Sequence, residues 1–218
     1  MNFNKNKKSH RLFEGVKEFR QNDFVHHFDV FQKLESNQNP HTLFIGCSDS
    51  RVVPNMITKS LPGELFIIRN VANLVPYYRE SIDTHLATSS AIEYAVNVLD
   101  VENIIICGHS NCGGCKALFS NKSEMKHLPM TKKWLELAHP VILQVKAKLR
   151  TENLKIAERD ELTAQLNVVE QMNHLLTFPY IKERFDKKKL NILGWYYVIE
   201  TGEVFNYSAE KQIFERIE

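Results

Sequence analysis

Long apolar runs are missing from this chain of 218 residues; the longest, 43–47 with Gly46 counted and 195–199, are about five residues. A membrane-spanning helix needs ~20, so none is expected. A dominant charge is missing as well. The 28 basic and 26 acidic side chains leave a formal +2, which gives no general case for a nucleic-acid or polyanion ligand. Residues 1–10 hold three lysines and lead into no apolar stretch, so no secretory signal is expected and the chain reads as cytoplasmic. Repeats, low-complexity blocks and Gly/Ser- or Pro-rich linkers are absent, which favours a single domain with appendages at both ends. Cysteine is scarce: four are too few for a disulfide scaffold at this length. They are also uneven, with Cys47 alone and Cys107, Cys112 and Cys115 crowded together. That distribution reads as thiols kept reduced for metal or redox chemistry.

What is present supports a packed domain, since 43% hydrophobic and 10% aromatic residues exclude a wholly disordered chain. Residues 1–36 are expected to form a helical arm. Leu12, Val16 and Phe19 share one stripe, and Phe24, Phe28, Phe31 and Leu34 share another. Such an arm packs on its own core or docks on a second subunit, and we read it as a dimer contact. Residues 37–218 form the α/β domain. The compact apolar runs 41–46, 64–69 and 103–107 predict strands buried on both faces of a mostly parallel central sheet. Ile92, Ala95, Val96 and Leu99 predict a crossover helix between the second and third strands. Further helical stripes run through Trp134, Leu137, Ala138, Val141 and Val145, divided or kinked by Pro140, and through Leu162, Leu166, Val169, Met172 and Leu176. A strand over 190–199 and the run 203–207 predict a C-terminal hairpin.

Polar residues stand just beyond two of the strands, Cys47-Ser48-Asp49-Ser50-Arg51 after the first and Gly108-His109-Ser110-Asn111-Cys112-Gly113-Gly114 after the third. Adjacent carboxyl ends of strands form the usual ligand crevice of an α/β sheet, so the two segments are expected to converge. Cys47, His109 and Cys112 then offer sulfur and imidazole ligands of the kind zinc takes, with a fourth position free for chemistry. Taken alone, Cys47 is more often an inert buried thiol and His109 a loop-capping side chain. Competing motifs overlap the same residues. Cys112-Gly113-Gly114-Cys115 has the dithiol spacing of a redox protein. Cys107, Cys112 and Cys115 match three iron–sulfur ligands without the fourth. Neither accounts for Asp49, Arg51 or His109. A zinc ion that merely ties the two loops together is the non-enzymatic reading.

The ordered segments Cys47-Ser-Asp49-Ser-Arg51, Pro62-Gly63-Glu64-Leu-Phe66-Ile-Ile-Arg69-Asn70 and Ile104-Ile-Ile-Cys-Gly108-His109-Ser-Asn-Cys112-Gly113-Gly114 resemble the β-class carbonic anhydrases. The likeness continues more loosely through 167–180 to Gly194-Trp-Tyr-Tyr197. It implies reversible hydration of CO2 to bicarbonate and a proton, with one Zn2+ per chain held by Cys47, His109 and Cys112. It further implies a catalytic pair Asp49–Arg51, and a CO2 pocket of Gln38, Phe66, Val71, Tyr94 and Gly113. Zinc lowers the pKa of a bound water from about 15.7 towards ~7 and so makes hydroxide available to CO2. A homodimer or dimer of dimers is implied, with pocket residues drawn from two chains and no nucleic-acid or membrane partner. In some members the aspartate becomes a fourth zinc ligand in a closed site. The bicarbonate-regulated members carry a tryptophan where Phe44 stands, although Arg69 and Tyr197 fit them; Phe44 favours the plant-like, open type.

Overall fold

The computed structural model describes residues 7–79, 85–121, 123–151, 155 and 158–218. They fall into two compact units, Met1–Gln38 and Asn39–Glu218.

In the first unit, α1 (Lys7–Glu18) leads through a π-helical turn (Phe19–Asp23) into two short helices, α2 (Phe24–His26) and α3 (Phe28–Lys33). The turn gathers the phenylalanines: Phe24 stacks on Phe31 at 5.0 Å between ring centroids, and Phe19 meets Phe31 edge-on at 6.1 Å. Leu12, Phe13, Val16, Phe19 and Phe28 remain exposed in the single chain.

The second unit is built on six strands, β1 (Thr42–Cys47), β2 (Leu65–Asn70), β3 (Asn103–His109), β4 (Asn191–Tyr197), β5 (Val204–Ser208) and β6 (Ile213–Arg216). Their order is β2-β1-β3-β4-β5-β6; the first four are parallel, and β5 pairs antiparallel with both β4 and β6, so the C-terminal hairpin gains a third strand. The helices of this unit are α4 (Pro54–Thr58), α5 (Leu86–Asn97), α6 (Gly113–Ala117), α7 (Pro129–Leu135), α8 (His139–Thr151), α9 (Arg159–Leu175) and α10 (Pro179–Asp186). Pro140 does divide its helical stretch. A 3₁₀ turn (Glu136–Ala138) separates α7 from α8, and the proline lies in the first turn of α8, where a missing N–H costs nothing.

β1 and β3 are buried along almost their whole length, which is why they read as unbroken apolar runs. Leu43, Ile45, Ile104 and Ile106 pack with Ile92, Ala95 and Val96 of α5, Val168 and Leu175 of α9 and Ile181 of α10. Phe44, Ile105 and Cys107 form the core of the opposite face beside Leu193 and Trp195. α9 departs from the expected pattern. Its stripe Leu162, Leu166, Val169, Met172 and Leu176 is only half-buried, and the inward face carries Thr163, Asn167, Glu170, Gln171 and His174. The helix lies close across β3 and β4 because Gly108 and Gly194 leave room. A Cβ on Gly108 would stand 2.6 Å from a Val168 methyl, and one on Gly194 2.5 Å from the Met172 sulfur.

Candidate active site

The parallel register brings the two polar segments together. Gly46 pairs with Cys107 and Cys47 with Asn70, so Cys47 and His109 end neighbouring strands rather than starting the loops beyond them. Cys112 lies three residues after His109, where α6 begins. His109 is fully buried, and its Nδ1 lies 2.9 Å from the Ser110 carbonyl. A carbonyl only accepts, so Nδ1 carries the proton and Nε2 presents a lone pair. That Nε2 is buried and meets no hydrogen-bond partner among the described residues. It faces a pair of sulfurs: Cys47 Sγ and Cys112 Sγ are 3.9 Å apart, and the three ligand atoms lie within 4.8 Å of one another.

This donor set fits zinc. Two Zn–S bonds of about 2.3 Å at a tetrahedral angle place their sulfurs about 3.8 Å apart. The shared hydrogen bond with Cys112 and burial push the Cys47 thiol up to about 12. The Cys112 thiol is pushed equally far, chiefly by the hydrogen bond with Cys115. A metal ion reverses that preference, because a coordinating thiol is deprotonated outright. Cys107 is sealed inside β3, and Cys115 packs among the apolar residues beneath α6.

Asp49 stands beside this cluster, its backbone N–H directed at the Cys47 sulfur at 3.4 Å. Both carboxylate oxygens are taken by the Arg51 fork, Nε to Oδ1 at 2.9 Å and Nη2 to Oδ2 at 2.8 Å, and the Arg51 backbone N–H adds a third bond at 3.0 Å. These bonds hold the Asp49 carboxyl well below the usual carboxylate range. Arg69 secures the same loop from β2, donating to the Cys47 carbonyl at 3.0 Å and the Asp49 carbonyl at 2.6 Å.

The other expected residues divide into two groups. Val71 follows Asn70, whose carbonyl accepts from Ser48 N–H at 2.8 Å, and a Cβ on Gly114 would lie 3.1 Å from a Val71 methyl. Val71 thus sits between the two loops, and Gly113, one residue before Gly114, is exposed. Phe66 is elsewhere. It pairs with Leu43, four residues up β2 from the Asn70–Cys47 level, a separation of about 13 Å at the usual rise of a strand. Its ring packs against Tyr94 of α5 at 6.0 Å, and Tyr94 is partly exposed. Gln38, also exposed, ends the first unit.

Sequence reasoning missed the side chains that hold the turn after β2: Trp134, Asn167 and Gln171. Their only signal was a polar i, i+4 pair, Asn167 and Gln171, lying between apolar positions of a helix. Arg69 was noted in the sequence, but its grip on the loop carbonyls was not.

The sequence profile of the carbonic anhydrase family matches residues 42–204. The chain belongs to the β-class carbonic anhydrases. It is 41% identical over 211 residues to a carbonic anhydrase of Helicobacter pylori strain J99, covering 94% of this chain and 93% of that protein. Its fold superposes on the β-carbonic anhydrase CcaA with a TM-score of 0.91 at 36% identity, covering 98% of this chain and 93% of the other. A β-carbonic anhydrase from Sordaria macrospora, described as tetrameric, matches with a TM-score of 0.72 at 33% identity over 91% of this chain and 93% of its own. The carbonic anhydrase reaction, reversible hydration of CO2 to bicarbonate and a proton, is therefore the reaction of this enzyme, and zinc is its metal. Among the described residues no helix is long and apolar enough to cross a membrane.

Proposed function

We propose that Cys47, His109 and Cys112 hold the zinc ion of this carbonic anhydrase, and that Asp49, locked by Arg51, aims the attacking oxygen at CO2. The observation that carries the assignment is the buried, partnerless Nε2 of His109 opposite the paired sulfurs. When bound, zinc acts as a Lewis acid that makes hydroxide available from water near neutral pH. Two thiolates offset the charge of the cation, so more of the work falls to the side chains around it. The Asp49 carboxylate, kept ionised, can only accept hydrogen bonds. It takes the proton of the attacking hydroxyl as a hydrogen bond, which turns an oxygen lone pair towards the carbon. The Arg51 fork fixes that carboxylate in one plane, and Arg69 keeps the loop beneath it from shifting.

Val71 and Gly113 would flank CO2 from the same chain. Phe66, Tyr94 and Gln38 would serve the pocket of a second copy, Gln38 donating a hydrogen bond to a substrate oxygen. Three observations support a homodimer or dimer of dimers: β2 is an edge strand, Phe66 lies far from its own proposed zinc ligands, and Leu12, Phe13, Val16, Phe19 and Phe28 are exposed. The bidentate grip of Arg51 on Asp49 and the presence of Phe44 support the open, plant-like form, with Asp49 off the metal. A cytoplasmic location fits the sequence. Metal analysis and a CO2 hydration assay test the assignment. Cys47→Ser is expected to lose both zinc and activity, and Asp49→Asn to keep about one zinc per chain while losing rate. Full rate in zinc-loaded Asp49→Asn would remove Asp49 from the reaction.

A further inference from the structure

The turn after β2 is an unusual piece of backbone. Ala72 and Asn73 both adopt left-handed conformations, at φ 63° and 48°. Non-glycine residues keep such angles only where their surroundings impose them. Here side chains from three elements take up its backbone groups. Asn70 closes the turn on itself, its Nδ2 donating to the Leu74 carbonyl at 2.8 Å and its Oδ1 accepting from Leu74 N–H at 2.7 Å. Trp134 of α7 donates its indole N–H to the Val71 carbonyl at 2.8 Å. Asn167 Nδ2 of α9 donates to the Ala72 carbonyl at 2.9 Å. Gln171 Oε1, one turn further along α9, accepts from Val75 N–H at 2.8 Å, and its Nε2 donates to Asn167 Oδ1 at 3.0 Å. The two amides therefore form a one-way ladder, and reversing either one sets like poles against each other. What the ladder holds packs directly on the metal loop: a Cβ on Gly114 would stand 2.8 Å from the Ala72 methyl and 3.1 Å from Val71.

We propose that Trp134, Asn167 and Gln171 are positioning residues of this enzyme, which set the CO2 pocket by fixing the Val71–Ala72 turn against the zinc-bearing loop. The inference rests on the reading of Val71 as a pocket wall. None of the three touches substrate or metal; each acts through the backbone of the turn. The wall is then as rigid as α9, although the turn itself is irregular.

The test compares Trp134→Phe, Asn167→Asp and Val71→Ala in the full-length, zinc-loaded enzyme. Trp134→Phe removes one donor from a partly exposed side chain, so it keeps the question open if the buried Asn167→Asp does not fold. Each variant is measured for KM and kcat separately, for zinc content, and for its visible spectrum after exchange of zinc for cobalt, which reports the ligand cluster. We expect Trp134→Phe and Asn167→Asp to raise KM for CO2 about fivefold with kcat little changed, as for lost binding shared by ground and transition states. Zinc content and the cobalt spectrum should stay as in the parent, an outcome that general loosening of the fold would not produce. Val71→Ala with raised KM beside wild-type kinetics in the other two would overturn the positioning role and leave the pocket reading intact. Val71→Ala without effect would remove the reading on which the inference stands. Loss of zinc in folded Trp134→Phe would also overturn it, by showing that the turn supports the metal rather than the pocket.

Discussion

Arg51 does three things for Asp49, and only one of them is its charge. The guanidinium meets both carboxylate oxygens in one plane, and the backbone N–H of the same residue reaches Oδ1. A lysine keeps the charge and the backbone bond but offers a point instead of a fork, which leaves the carboxylate free to turn. Arg51→Lys is expected to keep its zinc and lose about ten- to a hundredfold in kcat, since small errors in orientation are costly in a positioned reaction. Stopped-flow hydration beside metal analysis checks this; an unchanged rate would reduce Arg51 to a charge partner. A thiol and an imidazole just beyond apolar strands made the candidate donors readable, whereas the pairing of Asp49 with Arg51 was implied by the family resemblance. The tautomer of His109 was not readable. It is set by the neighbouring Ser110 carbonyl, which any residue at that position would supply.

Helix α9 shows where periodicity misleads. Its apolar stripe predicts a conventional amphipathic helix, yet a polar face is buried against the turn after β2, and the helix supplies hydrogen bonds as much as packing. A stripe of Asn, Gln, Glu and His looks like a solvated surface unless the unpaired backbone it meets is known. Glu170 belongs to this face. It accepts from Gln144 at 2.9 Å, lies 3.3 Å from both the Tyr77 hydroxyl and the fully buried His174, and its carboxyl is held below the ordinary value chiefly by the bond with His174. A depressed carboxyl stabilises the fold above its unfolded pKa of about 4.3, and that contribution fades as pH falls through the lower folded value. Glu170→Gln is therefore expected to lower the melting temperature at neutral pH and to flatten the acid limb of the stability curve. Thermal melts from pH 7 to pH 3 read both effects, and parallel curves for the two proteins would count against the linkage.

At the level of the assembled enzyme, the separation of Phe66 from the zinc ligands makes a sharp expectation. If Phe66 serves the pocket of a second copy, a Cys47→Ser chain and a Phe66→Ser chain, each impaired alone, complement one another when mixed. Only the mixed dimer holds an intact site, one of its two, so random reassociation of equal amounts should recover about a quarter of the wild-type activity. Recovery no greater than the sum of the two separate proteins would place Phe66 outside any shared pocket. The exposed Leu12, Phe13, Val16, Phe19 and Phe28 are the apolar side chains that a second copy would cover under the proposed dimer.

The linear chain was enough to predict the parallel sheet and the strand ends at which the candidate donors cluster, because these follow from residue chemistry and local periodicity; the choice of donors came with the family resemblance. Tertiary structure alone decided how the turn at Val71 is held, why the inner face of α9 is polar, and how far along β2 Phe66 stands from the level of Cys47. Each depends on where a distant backbone carbonyl or strand end falls in space. A hydrogen bond between positions 134 and 71, or 167 and 72, leaves no local trace in the sequence.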